Sequence, residues 1–134
     1  MNIIQLVAID TNVLVRLITG DDEKQYQKVR RLFEQEVIFV SDTVMLETAW
    51  VLRRTYQFEP PAIIDALRKV LGLPNVRVTD IQLLTEMLQW VEEGLEFADA
   101  LHLAECQMAT VFYTFDRQFS KRSQGLGNCP VKEL

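Results

Sequence analysis

The chain has 134 residues, enough for one domain with a buried core, and its 49% hydrophobic and 25% charged residues exclude a disordered chain. No apolar stretch approaches the roughly 20 residues of a membrane-spanning helix, and no basic segment precedes the short N-terminal apolar run, so neither a span nor a signal peptide is expected. A formal net charge of −5 argues against broad electrostatic binding of nucleic acid, and Cys106 and Cys129, without metal-ligand spacing, are expected to be reduced and cytoplasmic.

The apolar run Ile3 to Ile9 predicts a buried parallel strand. Asp10-Thr11-Asn12 follows, then an apolar helix from Val13 to Ile18. Gly20 stops that helix, and Asp21 and Asp22 are placed to cap the next. From Glu23 to Glu36, Tyr26, Val29 and Phe33 mark one helical face, and Lys24, Lys28 and Arg31 mark the other. Val37 to Val40 reads as a second strand.

Ser41 and Asp42 open a helix over about Thr43 to Tyr56. Pro60 and Pro61 suit the first turn of another, whose inward residues are Ile63, Leu67 and Val70. Val76 to Val78 is a candidate third strand. Thr79 with Gln82 resembles a capping box for the helix carrying Ile81, Leu84, Leu88 and Val91, which Gly94 closes. A further helix covers about Phe97 to Ala109. Val111 to Phe115 is a strand ending at Asp116, Arg117 to Arg122 a short helix, and Val131 begins a last strand. Strands alternating with helices predict an α/β fold with a parallel sheet, in one domain over residues 1–134.

Four carboxylates stand out. Asp10 leaves the carboxyl end of the first strand, where open α/β sheets place ligands. Asp also caps helices well, so alone it leaves both readings open. Glu47 has Val44, Trp50 and Val51 as helical neighbours, and a carboxylate among apolar groups calls for a cation or hydrogen bonds. The plain alternative is a Glu at the edge of the apolar stripe, its carboxylate in water. Asp99 suits a first helical turn, favoured by the helix dipole. Asp116 follows Thr114-Phe115 at the end of an apolar strand, as Asp10 does, and a turn or cap role fits it too.

Together the acids say more than singly. Gathered carboxylates repel, and a hard divalent ion resolves the conflict. Mg²⁺ takes oxygen ligands and retains waters, polarises a phosphoryl oxygen and lowers the pKa of a bound water. That chemistry suits cleavage of a phosphodiester. With four site carboxylates set aside, the charge of −5 falls to −1, so the acidity does not exclude an RNA substrate.

Asp10-Thr11-Asn12-Val13-Leu14, Glu47, Phe97-Ala98-Asp99-Ala100-Leu101-His102-Leu103-Ala104 and Thr114-Phe115-Asp116 resemble, in order and spacing across nearly the whole chain, the PIN-domain family and its VapC-type toxins. The resemblance implies a central parallel sheet of strand order 3-2-1-4-5 with helices on both faces. It implies a Mg²⁺- or Mn²⁺-dependent endoribonuclease, with Asp10, Glu47, Asp99 and Asp116 as catalytic and metal-holding residues. Asn12 and Thr114 match positions that support such a site by hydrogen bonding. It also implies tRNA or ribosomal RNA as target class, a cognate antitoxin protein, a homodimer and no membrane.

Arg16, Arg117, Lys121 and Arg122 are candidate RNA-phosphate contacts, against an ordinary solvated face. His102, three residues after Asp99, reads as a surface or packing residue before a catalytic one, since metal chemistry needs no histidine. Trp50 and Trp90 read as core or dimer packing rather than as base-stacking residues. One rival is a haloacid-dehalogenase-like phosphatase. That family places a second Asp two positions after the first, where this chain has Asn12. The other rival is a catalytically inactive PIN-like domain that binds RNA or protein.

Overall fold

The structure, a computed structural model, describes residues 3–134. Its contacts divide the chain into two units, Met1–Thr79 and Asp80–Leu134.

The first unit opens with β1 (Leu6–Ala8), shorter than the apolar run around it. α1 (Thr11–Thr19) follows, with Asp10 as its N-cap. It ends at Gly20, whose φ of 62° gives the left-handed cap that only glycine adopts without penalty. α2 (Glu23–Gln35) is capped by Asp22 alone, because Asp21 is drawn to other partners. β2 (Val37–Phe39) leads into α3 (Asp42–Arg54), whose Ser41 hydroxyl accepts from the Val44 amide. Pro60 and Pro61 start α4 (Pro60–Leu71), and β3 (Val76–Arg77) closes the unit.

These strands form a parallel sheet, β1-β2-β3, with Val7 opposite Ile38 and Ile38 opposite Val76. Parallel neighbours require crossovers, and the intervening helices supply them. Each crossover buries one face: Leu14 and Val15 of α1, Met45 and Leu52 of α3, and Ile63 and Leu67 of α4 are buried beside Ile38 and Val40. The Asn75 side-chain amide donates to the carbonyls of Phe33 and Glu36, fixing the approach to β3 against the end of α2.

The second unit begins with α5 (Ile81–Glu92), and here Asp80 rather than Thr79 is the cap, accepting from the Leu83 amide at 3.1 Å. Leu84, Leu88 and Val91 are buried as expected, whereas Ile81 is 48% exposed, since the first helical residue lies off the buried stripe. α6 (Phe97–Glu105) stops short of Ala109, because the Cys106 amide bonds back to Leu103 and tightens the last turn. β4 (Phe112–Thr114), α7 (Arg117–Arg122) and β5 (Val131–Glu133) complete it. β4 and β5 pair in parallel, with Tyr113 opposite Lys132.

The fold class is α/β with parallel strands, as the sequence predicts. The strand order needs a correction. The ladders form a three-stranded and a two-stranded sheet, rather than one sheet of order 3-2-1-4-5. The partial orders 3-2-1 and 4-5 hold. The strands have at most three residues, and Leu6 of β1 and Tyr113 of β4 are 64% and 57% exposed, so apolar runs that read as central strands form ladders on one side only. No helix among the described residues is long and apolar enough to cross a membrane.

Candidate functional site

In the first unit the site is built on the turn after β1. Asp10 is exposed, in extended backbone, and its Oδ1 accepts from the Val13 amide at 3.1 Å. An Asp cap of this kind is worth about 1 kcal/mol. It engages one carboxylate oxygen and leaves Oδ2 outside the cap.

Glu47 reaches the same turn from α3. The Thr11 hydroxyl donates to its Oε2 at 3.0 Å. The buried stripe of α3 is Met45, Thr48, Ala49 and Leu52, and Glu47 lies on its flank, exposed. The expected apolar surroundings of this carboxylate are therefore corrected: of the three neighbours, Trp50 is itself 48% exposed, with the Arg54 guanidinium over its ring at 5.3 Å. The core half of the packing role expected of Trp50 is corrected with it, while Trp90 is buried.

Asp10, Asn12, Arg16 and Lys28 line an open cleft of about 300 Å³. Arg16 is held in place there. Its Nε donates to Gln25 Oε1, and its Nη1 donates to Asp21 Oδ1 and to the Tyr56 hydroxyl. Thr11 and Lys28 were not among the residues singled out from sequence. A hydroxyl next to Asp10 was the only signal for Thr11. Lys28 read as solvated because helical periodicity shows which face is polar, not what stands opposite it.

In the second unit Asp116 repeats the arrangement of Asp10. It follows β4, and its Oδ1 accepts from the Phe119 amide at 3.1 Å, capping α7. Thr114 Oγ1 accepts from the Asp116 amide at 2.9 Å and so fixes that turn. Asp99 is the third residue of α6, half-buried, and its carboxyl is pushed above the usual carboxylate range. Burial is the main cause, repulsion by Asp116 and then Glu96 adds to it, and His102 opposes it. A helix dipole acting alone would shift Asp99 the other way. His102 is exposed. Arg117 meets Glu133 at 3.4 Å, and Lys121 and Arg122 are exposed at the end of α7.

The candidate acids thus fall two to each unit: Asp10 with Glu47, and Asp99 with Asp116. Among the described residues no three His, Cys, Asp or Glu side chains form a ready metal-binding group. The donor chemistry nevertheless fits a hard divalent ion. Every candidate ligand is a carboxylate oxygen, and the burial of Asp99 together with its repulsion by Asp116 disfavours a charge that a cation would stabilise.

The PIN domain family model matches residues 7–124, and the chain belongs to the PIN-domain family. Among solved structures, the chain is similar to the VapC20 toxin of Mycobacterium tuberculosis, described as cleaving the sarcin-ricin loop. Identity there is 24% and the TM-score 0.42, over 96% of this chain and 99% of that one. It is also similar to VapBC2 of Rickettsia felis, solved bound to a DNA fragment from its promoter. Identity there is 15% and the TM-score 0.38, over 98% of each chain. The comparison with curated proteins gave no match.

Proposed function

We propose that this PIN-domain protein is a divalent-metal-dependent endoribonuclease of the toxin type, acting as one domain over residues 1–134. The observation that carries the reading is the bond from Thr11 to Glu47, 36 residues away in sequence. It fastens a second carboxylate to the residue beside Asp10, at the carboxyl end of a parallel strand. An exposed Glu needs no such tether for stability, and a tethered one beside another acid suits a cation better than it suits a surface.

On this reading Asp10, Glu47, Asp99 and Asp116 hold Mg²⁺ or Mn²⁺. The ion when bound supplies a water of lowered pKa and positive charge for the phosphoryl oxygen. The chain's own residues do the placing. Thr11 orients Glu47, and Thr114 fixes the backbone at Asp116. The caps hold Asp10 and Asp116 through Oδ1 and leave Oδ2 to face a ligand. Asn12 supports the site from the cleft wall, and Arg16, Arg117, Lys121 and Arg122 are candidate contacts to RNA phosphates. The resemblance to VapC-type toxins extends the proposal to a tRNA or ribosomal RNA target, a cognate antitoxin, a homodimer and a cytoplasmic location.

A second reading has an observation in its favour. Capping by itself is a sufficient reason for Asp at positions 10 and 116, which suits a non-catalytic PIN-like domain that binds RNA or protein. Incubation of the protein with total cellular RNA, with Mg²⁺ or Mn²⁺ and then with a chelator, separates the two. Discrete fragments that require the ion, and that Asp99→Asn abolishes, establish the nuclease. RNA retained but uncut under every condition establishes the binding module.

A further inference from the structure

The cleft beside Asp10 holds, besides the Arg16 already proposed as a phosphate contact, a second cation that the proposed reaction has not used. All of its walls belong to the first unit. Arg16 comes from α1, and Gln25 and Lys28 from α2. Arg16 is only 27% exposed at its side chain, and three hydrogen bonds fix its guanidinium: 2.6 Å to Gln25, 3.1 Å to Asp21 and 3.0 Å to Tyr56. Tyr56 in turn donates to Asp21 Oδ2 at 2.6 Å, so the clamp is itself braced. These bonds use Nε and Nη1, and Nη2 lies outside the clamp. Lys28 is exposed and makes no ion pair among the described residues.

We propose that this cleft seats a backbone phosphate of RNA, with Arg16 and Lys28 as its two cations and Tyr56 and Asp21 as the residues that position Arg16. The inference rests on the endoribonuclease reading and adds a subsite to it. Asp10 is the one acid lining the cleft, and because Asp21 is paired with Arg16 at 3.1 Å, Lys28 is the cation there that has no acidic partner among the described residues. Asp21 is not part of the lining and fixes the guanidinium through Nη1. A guanidinium held on one edge presents the other at a set angle, which is how an arginine gives geometry as well as charge to a phosphate. The volume of about 300 Å³ admits a phosphate with part of its nucleotide, while its openness to solvent lets a strand pass through.

The test is binding rather than cleavage. A 5′-labelled single-stranded oligouridine is titrated with the full chain, without divalent ion, at several salt concentrations. Lys28→Gln should weaken binding several-fold and reduce the salt slope by about 0.7, the loss of one phosphate contact on a single strand. Lys28→Arg should restore both. Lys24→Gln, the same charge change on the same helix away from the cleft, should leave the slope in place. Tyr56→Phe should weaken binding at constant charge while the circular dichroism spectrum is kept, which separates positioning from mere charge. If Lys28→Gln behaves as Lys24→Gln does, the cleft is not the phosphate seat and the nuclease reading still stands. If Tyr56→Phe binds as tightly as wild type, the positioning role falls. If the wild type binds no oligouridine, the phosphate seat falls, while the nuclease reading is decided separately by the ion-dependent cleavage of cellular RNA.

Discussion

The Thr11 hydroxyl and the Glu47 carboxylate lie 3.0 Å apart, joining the first turn of α1 to the middle of α3. The bond is exposed, so its net worth to the fold is only about 0.5–1.5 kcal/mol. Its value lies in where it holds Glu47. Thr11→Val should therefore reduce RNA cleavage by about tenfold, equivalent to ~1.4 kcal/mol in the barrier, while the melting temperature moves by a few degrees at most. Thr11→Ser, which keeps the hydroxyl, should keep most of the activity. Equal activity in the valine variant would show that the tether has no part in catalysis.

Asp99 gives a stability effect with a definite sign. Its carboxyl is raised in the folded chain, mainly by burial and then by Asp116, so folding favours the protonated form. A raised acid costs stability once the pH exceeds its unfolded value, and the cost is full above its folded value. Asp99→Asn, measured without metal at neutral pH, should melt higher than wild type, by on the order of a few degrees. The difference should close as the pH falls towards the ordinary Asp value of 3.8. A variant that melts lower at neutral pH would mean that Asp99 is held as an anion by contacts the fold needs.

Asp21 behaves in the opposite way. The Tyr56 hydroxyl, then Thr19, and after them Arg16 hold its carboxyl below the usual range. A depressed acid adds stability that is complete above its unfolded pKa and is lost as the pH falls through its folded pKa. Tyr56→Phe removes the largest of these influences. Its acid unfolding should begin at higher pH than that of wild type, with the two curves converging at the lowest pH. Circular dichroism followed from neutral to pH 2 or so reads this directly, and superimposed curves would remove Asp21 from the acid response.

Gly127 has φ of 67°, and a Cβ there would meet Gln107 and, at 2.9 Å, the Trp90 ring. Gln107 is not free to move away, because its carbonyl oxygen accepts from the Asn128 amide at 2.6 Å and its amide donates to Leu103 at 3.0 Å. Gly127→Ala should destabilise by about 2–4 kcal/mol, the left-handed strain plus the overlap. Gly125, with φ of 81° and nothing near its Cβ, should lose only the strain, about 1–2 kcal/mol. Urea denaturation of the two variants checks the order, and an equal loss would show that the loop relaxes around position 127.

Much of this was legible in the sequence because it is local. Gly20, Ser41, Pro60 and Pro61 mark helix ends through their own backbone preferences, and α7 runs over the expected residues. The inward residues Ile63, Leu67 and Val70 follow from helical spacing alone. The positions of Asp10 and Asp116 at strand ends were legible for the same reason. What escaped depends on partners distant in sequence. Nothing in Val111 to Phe115 states that only Phe112–Thr114 will pair, or with which strand. Thr79 and Asp80 are both good caps, and the fold chose the second. The exposure of Glu47 turned on which of two adjacent stripes of α3 faced the core, and its tether depended on a hydroxyl 36 residues away.

The account stands or falls on whether these carboxylates hold a divalent ion. Melting temperature should be measured with increasing Mn²⁺ for wild type, Asp10→Asn, Glu47→Gln, Asp99→Asn and Asp116→Asn, in protein freed of any bound partner. Asn caps helices as well as Asp does, so these changes leave α1 and α7 capped. At about 100 times its dissociation constant the ion stabilises by roughly 2.7 kcal/mol, a rise on the order of 5–10 °C for a domain of this size. The expected result is that the wild type shows this rise and every variant loses most of it. A wild type that does not respond to Mn²⁺, or a response that none of these variants diminishes, would contradict a metal site held by these carboxylates.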